Sequence, residues 1–231
     1  MIFRQLFDQE SSTYTYLLAD ETSREAVLID PVKERVDSYL QLLRELDLTL
    51  INAIDTHVHA DHVTALGELR DATGCNTAMG EQSSAVCVNT RIKDGEIIKI
   101  GALQLKAIYT PGHTDDSYSF YLQTDNRGYV FTGDTLLIRG SGRTDFQNGD
   151  AGAQYDSIFN RLLTLPDDTA VYPAHDYKGW TVSTIAEEKR HNQRLQVRDK
   201  AAYIELMNNL KLPHPKLMDV AVPANRACGQ N

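Results

Sequence analysis

Three of the chain's seven histidines crowd into Thr56-His57-Val58-His59-Ala60-Asp61-His62, with an aspartate between the last two. Neutral imidazoles and a carboxylate gathered in so short a stretch are donors that a transition-metal ion takes. His57 and His59 are two residues apart, so in extended chain both rings leave the same side. The plainer reading is a solvated polar loop with incidental histidines, and the density of ligand-type residues weighs against it. Three further candidates stand apart in the sequence: His113 after Pro111-Gly112, Asp134 after Gly133, and His175 after Pro173-Ala174. Each by itself reads as a turn residue. Together they share a position, because each closes an apolar run of strand length.

Those runs must hold the ligands in place. Apolar and β-branched patterning predicts strands at 2–7, 12–18, 26–29, 48–54, 96–100, 103–109, 118–123, 129–131 and 170–172. Val36, Tyr39, Leu40, Leu42, Leu43 and Leu46 form a helical stripe over about 33–46. Val63, Leu66 and Leu69 predict a helix over 61–73 with Gly74 as its C-cap. Further helices are expected at 82–88, 155–165, 181–191 and 197–210, followed by a Pro-rich tail. Ligands delivered from several strand ends onto one sheet edge form a rigid constellation.

A length of 231 residues suits one large α/β domain or two small ones, with enough chain to bury a core. No apolar run approaches the length of a membrane span, and the N-terminus lacks a secretory pattern. The net charge of −9 argues against nucleic acid or an anionic membrane as partner. The cysteines are Cys75, Cys87 and Cys228, an odd count with no pair at metal-binding or redox spacing. That suits a reducing compartment, the cytoplasm or, after removal of a presequence, an organelle matrix.

The run from Thr56 to His62, then Pro111-Gly112-His113, Gly133-Asp134 and His175 resembles the metallo-β-lactamase superfamily. The resemblance implies an α/β fold spanning 1–231 as a single domain: an αββα four-layer sandwich of two mixed sheets with helices outside. In that superfamily up to seven ligands hold two metals, and all seven types are present here. Spacing leaves one metal or two open.

A closer resemblance is to the persulfide dioxygenases. It runs through Gly133-Asp134-Thr135-Leu136-Leu137-Ile138-Arg139-Gly140-Ser141-Gly142-Arg143-Thr144-Asp145-Phe146-Gln147, through Tyr172 to Thr184, and through Met218 to Gly229. It implies oxidation of glutathione persulfide by dioxygen and water to glutathione and sulfite, in sulfide oxidation, at one non-haem Fe(II) per chain. The implied ligands are His57, His113 and Asp134. Two imidazoles and a carboxylate on one face of an octahedral ion leave the opposite face open for sulfur and dioxygen. His59, Asp61, His62 and His175 then become outer-shell residues that fix tautomers and hydrogen-bond water or substrate.

Glutathione's carboxylates need cations on so acidic a chain. The related glyoxalase II enzymes place a basic residue at the position of Arg143 and a tyrosine at that of Tyr177, so these are the expected glutathione contacts, with Asn225 a third. Arg139 is expected in an ion pair with a structural carboxylate. Cys228 reads as a buried small residue rather than a reactive thiol. Trp180, Tyr118, Phe120 and Tyr121 read as core, and 184–210 as a solvated helical face. The runner-up function is a glyoxalase II-like thioester hydrolase with two metals. The short tail after His175 and the Arg143-Thr144-Asp145-Phe146 segment both depart from that family. A third reading is a catalytically silent metal- or sulfur-binding partner protein. A homodimer is the default assembly.

Overall fold

Strand β2 (Thr13–Ala19) is buried along its whole length, and its side chains divide by parity. Tyr14, Tyr16 and Leu18 enter one apolar cluster, while Leu17 and Ala19 enter another. The two-residue period of a strand requires this when both faces of a sheet are covered. The computed structural model, which describes residues 1–213 and 217–230, sets β2 in a six-stranded sheet. Its order is β1 (Ile2–Asp8), β2, β3 (Glu25–Ile29), β4 (Thr49–Ile54), β5 (Asn76–Gly80) and β6 (Thr90–Ile92). A second six-stranded sheet contains β7 (Ile97–Ile100), β8 (Leu103–Tyr109), β9 (Tyr118–Gln123), β10 (Gly128–Gly133), β11 (Ala170–Pro173) and β12 (Ser183–Thr184), running in reverse numerical order across the sheet.

Between the sheets, Tyr16, Leu18, Val27 and Ile54 pack against Leu105, Ala107, Phe120 and Phe131. The outer face of the first sheet is covered by α1 (Val36–Glu45) and α2 (Leu66–Thr73), whose Tyr39, Leu43, Leu66 and Leu69 meet Leu17 and Leu28. The outer face of the second is covered by α3 (Ala151–Ser157), α4 (Ile185–His191) and α5 (Lys200–Asn208), through Ala151, Ile185, Tyr203 and Met207. The result is the expected αββα sandwich. Tyr118 and Phe120 are core, with no exposed surface.

Strand direction decides where the loops gather. β10 and β11 are parallel, and β9 is antiparallel to both β8 and β10. β8, β10 and β11 therefore end at one edge. At that edge the sheets are stitched together by main-chain bonds, Tyr118 N–H to Thr56 O at 2.9 Å and Tyr14 N–H to Ala174 O at 2.7 Å.

Several expectations need correction. Residues 61–65 are not helical, and α2 starts only at Leu66. The segment 82–88 forms bends rather than a helix, and β5 and β6 were not anticipated. The tail holds a helix, α6 (Met218–Arg226), with Pro223 inside it. Among the described residues, no helix is long and apolar enough to cross a membrane.

The cysteine reading is also overturned. Cys87 and Cys228 form a disulfide across 141 residues, with Cα atoms 5.9 Å apart, and Cys75 is buried and free. Cysteine usage therefore gives no reason to expect a reducing compartment.

Candidate metal centre

Four strand ends meet at the stitched edge. β4 runs into His57 and His59, β8 into His113, β10 into Asp134, and β11 into His175. Gly133 makes the sharp turn into Asp134 at a φ of +52°, and a Cβ there would lie 2.8 Å from Thr56 Oγ1. Gly142 lets the next loop pass close by. A Cβ at this position would sit 2.3 Å from the Asp134 carbonyl oxygen and 2.8 Å from His113 Nδ1.

His57, His113 and Asp134 each offer one ligand atom, all within 4.8 Å of one another. The surrounding bonds decide which atoms these are. The carbonyl oxygen of Arg143, which can only accept, lies 2.7 Å from His113 Nδ1. That nitrogen carries the proton, and Nε2 keeps its lone pair 3.5 Å from Asp134 Oδ2. Thr56 Oγ1 donates to Asp30 Oδ2 at 3.0 Å and lies 2.9 Å from His57 Nδ1. A hydroxyl has one proton, already given to Asp30, so His57 Nδ1–H donates and Nε2 is again free. Asp30 Oδ1 accepts from the Thr56 N–H at 2.7 Å and from His59 Nε2 at 3.0 Å, which turns His59 Nδ1 away from it.

Electrostatics agree with this assignment. Burial, reinforced by the neighbouring rings, holds His57 and His59 well below the usual histidine pKa, so both imidazoles are neutral at pH 7. Burial also raises the Asp30 carboxyl, against the pull of His57 and the Thr56 bonds. For Asp61, burial is outweighed by His175 and His62, which keep it ionised. For His175, burial is outweighed by Asp134 and Asp61, which push the imidazole up to about 10. His175 Nε2 lies 3.4 Å from Asp61 Oδ2 and 3.7 Å from Asp134 Oδ1.

His59, Asp61 and His62 form a second group with ligand atoms within 4.8 Å. Among the described residues, His59 Nδ1, His62 Nε2 and Asp134 Oδ1 are buried and have no hydrogen-bond partner. Leaving such atoms unsatisfied costs about 1–3 kcal/mol each. A bound cation and its water would satisfy them. The donor set of imidazole and carboxylate therefore fits a transition metal.

The expected substrate residues are placed less uniformly. Arg143 pairs two-pronged with Asp145 at 2.7 and 2.8 Å, lies 4.4 Å over the Phe146 ring, and donates to Pro213 O at 2.6 Å. Tyr177 is 72% exposed, and its ring lies parallel to that of His175 at 6.0 Å. Asn225 is not positioned as a substrate contact. It is 1% exposed, and its amide is engaged with the main chain of the histidine loop. Arg139 pairs with Glu187 and Glu188, and Glu188 is fully buried rather than part of a solvated face. Trp180, expected in the core, is 43% exposed between Arg139 and Lys178, each 5.5 Å from its ring.

Asp30 and Thr56, which orient His57 and His59, were not singled out from the sequence. Asp30-Pro31 looks like a strand-ending turn, and Asp30 does adopt a turn conformation at a φ of 53°. Thr13 was missed as well. Its hydroxyl lies 3.2 Å from Asp61 Oδ2, 3.3 Å from His62 Nδ1 and 3.4 Å from His175 Nδ1.

The metallo-beta-lactamase superfamily profile matches residues 9–86 and 88–175. The Homo sapiens protein named persulfide dioxygenase ETHE1, mitochondrial, is 46% identical over 99% of this chain and 89% of its own length. A crystal structure of ETHE1 from Myxococcus xanthus superposes with a TM-score of 0.95 at 57% identity, covering 100% of both chains. A Schizosaccharomyces pombe protein described as a probable hydroxyacylglutathione hydrolase is 35% identical over 78% of this chain and 69% of its own length.

Proposed function

Because this chain belongs to the metallo-beta-lactamase superfamily and, within it, to the persulfide dioxygenases, we propose that it oxidises glutathione persulfide at one Fe(II) held by His57, His113 and Asp134. Glutathione persulfide, dioxygen and water give glutathione, sulfite and two protons. The observation that carries the reading is the convergence of the three ligand atoms within 4.8 Å, with both imidazole tautomers set by fixed acceptors.

Fe(II) held by His57, His113 and Asp134 would supply Lewis acidity and one-electron redox chemistry toward persulfide and dioxygen. The protein's part is orientation and proton handling. Thr56 and the Arg143 carbonyl hold the two imidazoles so that neither ring rotates. The lone pairs of His59 Nδ1 and His62 Nε2 accept from the water that releases sulfite. The Asp61 carboxylate, held by the His175 imidazolium, accepts a hydrogen bond from the same water. Holding the reactants in one place removes much of the entropic barrier to a reaction of three molecules.

Arg143 and Tyr177 are assigned to glutathione. The guanidinium's present partner, Asp145, holds it in place until a substrate carboxylate shares that pairing. The His59-Asp61-His62 group favours a second reading, a dinuclear glutathione thioester hydrolase. An oxygen electrode separates the two. Iron-loaded protein given glutathione persulfide should consume oxygen and release sulfite in equal amounts. Cleavage of a glutathione thioester without oxygen uptake would replace this reading with the hydrolase.

A further inference from the structure

We propose that Asn225 is the positioning residue of the histidine loop, and that the Cys87–Cys228 disulfide holds it there. The loop from Asp55 to Ala65 is irregular, so its main-chain groups need partners outside secondary structure. Asn225 Oδ1 accepts from the Thr64 N–H at 2.8 Å, and its Nδ2 donates to the carbonyls of His59 and His62, both at 2.8 Å. A primary amide offers an acceptor and two donor hydrogens on one planar group. Aspartate, leucine and serine cannot reproduce that set. The two carbonyls flank Asp61, so one side chain fixes the backbone on both sides of it. Each of these two residues also has one ring nitrogen, His59 Nδ1 and His62 Nε2, that is buried and without a hydrogen-bond partner among the described residues.

Asn225 sits on α6, a helix of 9 residues in which Pro223 supplies no N–H. The helix is fastened mainly at its far end. Cys228, three positions after Asn225, is bonded to Cys87. Gly67 N–H reaches Cys228 O at 3.0 Å, and Val86 N–H reaches Arg226 O at 3.2 Å. Lys33 Nζ donates to Gly229 O at 2.5 Å. A crosslink closing so long a loop removes disordered alternatives and favours the docked segment. Opening it with dithiothreitol turns both cysteines into thiols and the reagent into its cyclic disulfide. The amide bonds would survive that step, but the anchor behind them would be lost.

This inference rests on the loop being a metal-binding loop, not on which metal it takes. The test measures two quantities at a temperature well below melting: amide hydrogen exchange at Thr64 in metal-free protein, and the rate of Co(II) loss from Co(II)-loaded protein to a chelator. Reduction of the wild-type disulfide, Asn225→Asp and Asn225→Leu should each speed cobalt loss about 10- to 100-fold, as for other residues that orient ligands. They should also shift the cobalt absorption bands, and reduction and Asn225→Leu should accelerate Thr64 exchange. Val222→Ala trims a helix contact with the core but leaves the amide, so it should lower the melting temperature and leave cobalt loss unchanged. The reduction arm needs no variant, and it decides the question even if Asn225→Leu fails to fold. Equal effects from Val222→Ala and Asn225→Asp, or no effect of reduction, would overturn the proposal. A wild-type protein that retains no cobalt would instead overturn the metal reading, while Thr64 exchange would still judge the clip.

Discussion

His113 takes its orientation from a main-chain atom, the carbonyl oxygen of Arg143, 2.7 Å from its Nδ1. The guanidinium of the same residue turns the other way, to Asp145. Changing the side chain therefore spares the support of the ligand. Arg143→Ala should raise the KM for glutathione persulfide about tenfold, the value of one charged hydrogen bond of about 1.4 kcal/mol. Turnover and metal content should stay near wild type. An unchanged saturation curve would remove Arg143 from the substrate site.

Asp30 receives the Thr56 N–H, the Thr56 hydroxyl and His59 Nε2. In Asp30→Asn, only the amide oxygen can accept, so the donors lose part of their shared acceptor. The metal dissociation constant should rise about 10- to 100-fold, measured by chelator competition. Activity should recover in excess metal, whereas an affinity equal to wild type would show that the tautomers are set by other means.

Asp8 braces the hairpin before Thr13 through Ser11 at 2.9 and 2.7 Å and Arg35 at 2.7 Å. Burial raises its pKa, but the Ser11 and Arg35 bonds outweigh burial and leave it below the usual carboxylate value. The folded pKa is thus lower than the unfolded one. The stabilisation is complete above about pH 4 and is lost as pH falls through the folded value. Asp8→Asn should cost stability at pH 7, and denaturant titrations should show the gap to wild type narrowing only below about pH 4. A gap that closes between pH 7 and pH 5 would contradict this assignment.

The candidate site residues were legible because each lies just past a strand whose apolar pattern is local. His57, His113, Asp134 and His175 could thus be placed on one edge without a structure. Asp30 was not legible, because its job comes from β3 lying parallel beside β4. The start of α2 was misplaced for a similar reason. The apolar spacing continues through Val63, but the main chain there is drawn to Asn225 and to Pro31 O, which accepts from Ala65 N–H at 2.8 Å. The tail reads only as Pro-rich in sequence, yet Ala221, Ala224 and Asn225 bury one helical face. The disulfide joins residues 141 apart, and no spacing rule reaches that far.

One iron gripped by His57, His113 and Asp134 underlies the proposed reaction, and metal counting on freshly purified protein tests it. Wild type and His175→Ala should each hold close to one iron per chain, and Asp134→Ala should hold almost none. Two metals per wild-type chain, with one lost in His175→Ala, would contradict the account and make the site a dinuclear one.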